Sequence, residues 1–377
     1  MIYVDYNATT PLASEVLESM QPYLTELFAN PSSLYQGGRL VREAVEGARE
    51  QVAALAGCPP RQLIFTSGGT ESNNAAITSA VEVTRKRHVV ASMIEHAAVK
   101  APLEQLEQKG YRVSWVPTDS QGRVSIESIE EVVTEETGLV CVMGANNETG
   151  VIQPYESVGR FCRERNIVFH CDAVQLPGKV SINLDDLEYD SMAFSAHKLR
   201  GPKGIGALAV HRRTAFYPFL FGGGQERGRR AGTENVAAIV GFGEAARISQ
   251  SCFRQETGSV RDFFEDHLKG QWPQVEIAGE NADRLPNTSL VCFPEISNEL
   301  MLARLDQEGI CASAGSACTA GSTEPSHVLL AMGWSRERAG SSVRFSFGPG
   351  QTRKDAEGLL EAINRILNEL LPENRSE

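Results

Sequence analysis

Between about residue 60 and residue 212 the chain alternates short β-prone runs with helical stretches, and this alternation restricts its fold more than any other feature. Gln62–Thr66 (QLIFT), His88–Met93 (HVVASM), Tyr111–Val116, Gly138–Met143 and Ile167–Cys171 read as strands. Helical stretches at Thr70–Thr84, Ala97–Lys109, Ile126–Glu136 and Tyr155–Arg165 separate them. Two more apolar runs, Ser191–Ser195 and Ile205–Val210, have no long helix between them, which allows one to run antiparallel. Strands and helices in this rhythm make an α/β fold, an open and mainly parallel seven-stranded sheet covered on both faces.

The C-terminal third is built differently. A helix near Asn235–Ser249 precedes a charged stretch, Arg254–Lys269, suited to a linking helix. Short strands (Thr288–Phe293, Ser342–Phe347) and helices (Glu299–Glu308, Lys354–Glu369) follow. The predicted division is a large α/β domain over 16–258 and a smaller α+β domain from 1–15 and 259–377. The small domain carries the segment 313–326, SAGSACTAGSTEPS, whose Ser, Gly and Thr content predicts a mobile surface loop.

With 36 Lys and Arg against 48 Asp and Glu, the net charge of −12 argues against nucleic acid or an anionic membrane as the main partner. MIYVDYNATTP lacks the basic region and apolar core of a signal peptide, and no apolar run is long enough to span a bilayer. A cytoplasmic protein is therefore expected, with its eight cysteines reduced. The cysteines are scattered singly, without CxxC pairs or zinc-type spacing, so no metal is predicted.

Ligands of open α/β sheets bind beyond the carboxyl ends of the strands. The runs found there are SGGTESN (67–73), EHAAV (95–99), ANNETG (145–150), DAVQ (172–175) and SAHK (195–198). Ser67-Gly68-Gly69-Thr70 reads equally as a phosphate cradle at a helix start or as a capped tight turn. It matches neither the Walker A pattern nor G-x-G-x-x-G, so a single phosphate fits better than ATP or NAD. Asp172 could hold a pyridinium N–H or merely cap a turn. Lys198 could form a Schiff base if partly desolvated, an argument that needs Asp172, Ser195 and His197 beside it. His170 cannot join Cys171 and Asp172 on one metal, because consecutive strand residues face opposite ways. A satisfied core histidine is expected there.

The order SGGTESN, EH, NNETG, DAVQ, SAHKLRGPKGIG resembles the fold-type I pyridoxal-phosphate enzymes of the class V aminotransferase group. YVDYNATTP, GGGQERGRRAGTEN (222–235), SAGSACT (313–319) and SSVRFSFG (341–348) narrow the resemblance to cysteine desulfurases of the NifS/IscS type. It runs from residue 3 to about 350 and departs at Ala196, where S-x-H-K more often has glycine, a change expected to be tolerated. The chain ends at Glu377 without the longer tail with which housekeeping relatives engage scaffold proteins, so delivery to a standard iron–sulfur scaffold is not implied.

The resemblance implies that Lys198 carries pyridoxal 5'-phosphate and moves protons, and that Asp172 pairs with the pyridinium nitrogen. His96 would stack on the ring and serve acid–base steps, and Gln175 would bond the phenolic oxygen. Gly69, Thr70, Ser195 and His197 would hold the phosphate, with Thr233 reaching in from the partner of a homodimer. Asn147 would lie against the ring and the substrate carboxylate, which Arg344 would clamp. Cys318 would take sulfur from L-cysteine as a persulfide for an acceptor protein serving iron–sulfur clusters, tRNA thiolation or another thio-modification. The ERGRR run at 226–230 is expected near the subunit interface. Two other readings remain: a selenocysteine lyase or other β-elimination enzyme on the same scaffold, and a non-catalytic sulfur-relay or assembly component.

Overall fold

The computed structural model describes residues 1–249, 254–315 and 324–371. Cys252 and Cys318, with much of the 313–326 segment, lie outside the described residues. In chain order the elements begin with β1 (Ile2–Tyr3), α1 (Ser14–Thr25), α2 (Gln36–Ala56), β2 (Leu63–Thr66) and α3 (Gly69–Thr84). Then come β3 (His88–Ser92), α4 (Ala97–Gln108), β4 (Arg112–Val116), α5 (Ile126–Glu130) and β5 (Thr137–Cys141). The large sheet is completed through α6 (Tyr155–Glu164), β6 (Val168–Asp172), β7 (Ser191–Ser195) and β8 (Gly206–Val210). After α7 (Val236–Ser249) and α8 (Arg254–Gln271) follow β9 (Glu276–Ile277), β10 (Thr288–Cys292), α9 (Asn298–Gln307) and β11 (Ile310–Cys311). The last are α10 (His327–Ala331), α11 (Arg336–Gly340), β12 (Ser342–Ser346) and α12 (Arg353–Leu370).

Seven strands form the main sheet in the order β2-β8-β7-β6-β5-β3-β4. Strand β8 runs against both its neighbours, β2 and β7, and the other pairings are parallel. Every residue of β2, β3, β5, β7 and β8 is buried, as continuous strands covered on both faces should be. Strand order reverses at β3, with β4 on one side and β5 on the other, and such a switch point leaves a crevice at the strand ends.

Two helices precede the alternating pattern and carry its outer layer. Helix α2 turns Val41, Val45, Ala48, Val52 and Ala56 inward at three- and four-residue spacing, and it ends at Gly57 in the left-handed conformation (φ 66°). Helix α5 stops at Glu130, well short of the predicted Glu136. The residues that follow, Val132, Val133 and Thr134, are β-branched and lose side-chain freedom in a helix, which accounts for the early end.

A second apolar core gathers Val4, Phe264, Val291, Phe345 and Phe347 with the inner face of α12. It is backed by a three-stranded antiparallel sheet, β12-β10-β9, and by the parallel pair β1–β11. The N-terminal segment crosses from this core to the main sheet. Tyr6 N–H donates to Ser346 O at 3.1 Å and Thr10 N–H to His197 O at 3.1 Å.

Candidate active site

The ends of β2, β3, β5, β6 and β7 open into one cavity of about 560 Å³. It is lined by Gly69, Thr70, His96, Asn147, Asp172, Gln175, Ser195, His197, Lys198 and Arg344. Of the remaining predicted residues, Thr233 is exposed and off this wall, and Cys318 lies outside the described residues.

Asp172 closes β6, one strand away from the lysine that follows β7. Its Oδ1 accepts from Val174 N–H at 3.0 Å and its Oδ2 from Asn73 Nδ2 at 2.7 Å. Asn73 Oδ1 in turn meets His170 Nε2 at 2.9 Å, and His170 Nδ1 meets Ser191 Oγ at 2.9 Å. Burial lowers the His170 pKa to about 4, so the ring is neutral near pH 7. One N–H then suffices: Nε2–H donates to Asn73 and Nδ1 accepts from the Ser191 hydroxyl. His170 is thus the satisfied core histidine expected from the sequence, and it also buttresses Asp172.

Lys198 ends a short 3₁₀ turn, Ala196–Lys198, directly after β7. Its Nζ donates to the main-chain oxygens of Asn7 at 2.5 Å and Ala8 at 2.7 Å, both on the N-terminal segment. These carbonyl oxygens orient the amine. The adjacent His197 has its pKa lowered to about 4, by burial first and then by Lys198 and Lys203, which keeps it neutral. Ala196 is fully buried in the main core, so the methyl group at the position of the commoner glycine is accommodated.

Helix α3 begins at Gly69, and the first N–H groups of a helix have no partner within it. A side chain at position 69 would put its Cβ 2.8 Å from Val174 Cγ2, so glycine lets that helix end lie against the cavity floor. Ser195 and His197 line the same cavity. Backbone amides, a hydroxyl and a helix N-terminus together suit a phosphate. The ERGRR run folds back on its own chain: Arg230 grips Glu71 through two hydrogen bonds of 2.9 and 3.1 Å, and Glu226 pairs with Arg49.

His96 caps α4, with Nδ1 accepting from Ala98 N–H at 3.1 Å, which leaves Nε2 as the protonated nitrogen of the neutral ring. Arg344, on β12, is almost fully buried. Its Nη2 donates to Asp5 Oδ1 at 2.7 Å and its Nη1 to Asn147 O at 3.0 Å and Gly315 O at 3.2 Å. Nε has no partner among the described residues, and a ligand carboxylate at Arg344 would share the guanidinium with Asp5. Glu148, buried on the same wall, accepts from Ser326 Oγ at 2.5 Å, and burial raises its pKa.

Sequence reasoning missed Asn7, Asn73 and Glu148. Asn7 is the hub of the site: its side chain meets Thr288, Asn287 and the Asn147 carbonyl, and its own carbonyl receives Lys198. The signal was the polar run DYNATT in an otherwise apolar N-terminal stretch. Among the described residues no cluster of three His, Cys, Asp or Glu could hold a metal ion.

The model for the family described as "Aminotransferase class-V" matches residues 2–359. A cysteine desulfurase of Nostoc sp. is 44% identical over 375 residues, covering 98% of this chain and 94% of that protein. A solved NifS-like protein superposes with a TM-score of 0.91 at 37% identity, covering 98% of this chain and 99% of that one. SspA, solved in complex with cysteine, gives a TM-score of 0.83 at 35% identity over 93% of this chain and 99% of its own. On sequence and fold alike, this chain belongs to the class-V aminotransferase family, within its cysteine desulfurases.

Proposed function

We propose that this protein is a pyridoxal 5'-phosphate-dependent desulfurase that converts L-cysteine to L-alanine and passes the sulfur through Cys318 to an acceptor protein. The observation that carries the reading is the placement of a lysine amine and a buttressed carboxylate on one cavity wall, beside a helix N-terminus. That donor set fits the coenzyme, which has an aldehyde, a basic ring nitrogen and a phosphate. When bound, pyridoxal 5'-phosphate supplies an electron-withdrawing ring joined to the substrate amine, which acidifies Cα.

The chain's residues do the rest. Asp172, fixed by Asn73 and Val174, would keep the ring nitrogen protonated. Gly69, Thr70, Ser195 and His197 hold the phosphate, with Thr233 of a second subunit. His96 would lie over the ring and Gln175 would donate to the phenolic oxygen. Arg344 and Asn147 hold the substrate carboxylate. Lys198 would hold the coenzyme through its amine and, with that amine free, would take the proton from Cα and return one to Cα once the sulfur has left. The Cys318 thiolate attacks the substrate sulfur, the S–Cβ bond breaks, and its electron pair stays with carbon, which gains a proton to become the alanine methyl group. The sulfur remains on Cys318 as a persulfide, which a thiol of the acceptor takes over.

A homodimer is supported by large apolar side chains left uncovered on this subunit, Phe28 and Leu34 at 83% and Phe221 at 71% exposure. Two separate cores support the division into domains of 16–258 and of 1–15 with 259–377. No helix among the described residues is long and apolar enough to cross a membrane, in keeping with a cytoplasmic enzyme.

Borohydride reduction of the coenzyme-loaded protein followed by peptide mapping tests the reading, alongside assay of alanine formed from cysteine. Modification at Lys198 and alanine production are expected. An unmodified Lys198, or loaded protein that forms no alanine, defeats it.

A further inference from the structure

Lys179 is 2% exposed and pairs with no carboxylate among the described residues. An unpaired buried ammonium is costly, and burial, then Lys198 and Arg344, push its pKa well below the usual lysine value. A stable fold has little use for such a group unless its hydrogen bonds do something. Those bonds run to the active site. Nζ donates to Gln175 Oε1 at 2.5 Å and to Asn7 Oδ1 at 2.8 Å. The turn Leu176–Lys179 brings it there, with Pro177 and Gly178 (φ 76°) at its centre and Lys179 N–H bonded to Leu176 O at 3.0 Å.

A side-chain amide can present either its oxygen or its NH₂ to a cavity. With Oε1 taken by Lys179, Gln175 turns Nε2 towards the Asn7 carbonyl, at 3.1 Å. That carbonyl is the one that also receives Lys198 Nζ, at 2.5 Å. We infer that Lys179 is a positioning residue: by occupying Oε1 it fixes Gln175 as a hydrogen-bond donor towards the coenzyme. The inference rests on the reading that Gln175 faces the phenolic oxygen of pyridoxal 5'-phosphate.

The test titrates the apoprotein with pyridoxal 5'-phosphate and with its 3-deoxy analogue, which lacks the phenolic oxygen, following tryptophan fluorescence. Lys179→Met should weaken the coenzyme about tenfold, the scale of one misdirected buried hydrogen bond, and the analogue less than about twofold. In Lys179→Met/Gln175→Leu the loss should not exceed the larger single loss, because both act through one contact. Equal weakening of both ligands, which a purely structural role would give, overturns the inference, as does no weakening or strict additivity. If Lys179→Met does not fold, Lys179→Gln, polar but too short to reach both oxygens, carries the same expectations. Wild-type protein that binds neither ligand would instead bring down the underlying function.

Discussion

Asp5 and Arg344 form an ion pair at 2.7 Å across 339 residues of sequence, the guanidinium buried and the carboxylate partly so, joining the N-terminal segment to strand β12 beside the ligand cavity. The pair fixes the orientation of the guanidinium in the cavity. Replacing Arg344 by Ala should raise KM for cysteine at least about tenfold, by loss of a charge-assisted contact, and leave the visible coenzyme band in place. Steady-state kinetics with an absorption spectrum of each variant checks this.

Asn73 stands between Asp172 and His170 and satisfies both. Its replacement by Ala strands two buried polar groups, so the expected loss is about 1–3 kcal/mol for each group left unpaired, together with a lower kcat. Urea unfolding and turnover measured on the same preparation separate the two effects.

Cys318→Ser should abolish sulfur transfer and leave coenzyme binding at Lys198 unchanged. Mass spectrometry after cysteine treatment should find an added sulfur on Cys318 of the wild type and none in the variant. A variant that still released sulfur from cysteine at the wild-type rate would favour a direct lyase.

The Arg49–Glu226 pair should dominate stability around the 222–235 segment. Glu226 accepts from both Arg49 amino groups at 2.8 Å and from Phe65 N–H at 2.9 Å, from a backbone held at φ 47°. Glu226→Ala leaves the buried Arg49 guanidinium with only the half-exposed Glu46 as counter-charge, at 3.1 Å, so a loss approaching about 3 kcal/mol should be visible as a lower urea midpoint.

Two buried groups give stability opposite dependences on pH. Glu95 has Oε1 bonded to Ser92 Oγ and Met143 N–H, while Oε2 has no partner among the described residues. Burial pushes its carboxyl from an ordinary 4.5 up to about 7. The folded chain therefore keeps this proton to higher pH than the unfolded chain does. The resulting stability is complete below the ordinary value and is lost as pH rises through about 7. His170, lowered from 6.5 to about 4, contributes stability present above 6.5 and lost as pH falls through about 4. Glu95→Gln should therefore gain on the wild type between about pH 5 and pH 8, as read from denaturant midpoints at each pH.

Most of the large sheet was legible because its strands are short apolar runs punctuated by polar residues at their carboxyl ends. The predicted Ser191–Ser195 matches β7 residue for residue, and the strand without a long helix before it, β8, is the antiparallel one. Pocket residues after the strands were legible for the same reason. What escaped were groups whose roles depend on long-range contact. Asn7 looks like a turn residue in sequence, and Lys179 looks like solvated surface. Helices α1 and α2 were missed because they come before the alternating pattern begins.

The stitching of the first residues to β12 has a cost in time as well as a benefit in geometry. Ser346 N–H bonds Val4 O at 2.7 Å, so the Arg344 side of the cavity is joined from segments far apart in the sequence. On the ribosome the Val4 end of the N-terminal segment emerges long before β12, its partner, has been made. The parallel sheet can assemble early, with Asp172 and Lys198 already at its edge, but Asn7, whose carbonyl receives Lys198, is anchored to Ser346 only once β12 has been made. Catalytic competence should thus be among the last properties the growing molecule acquires.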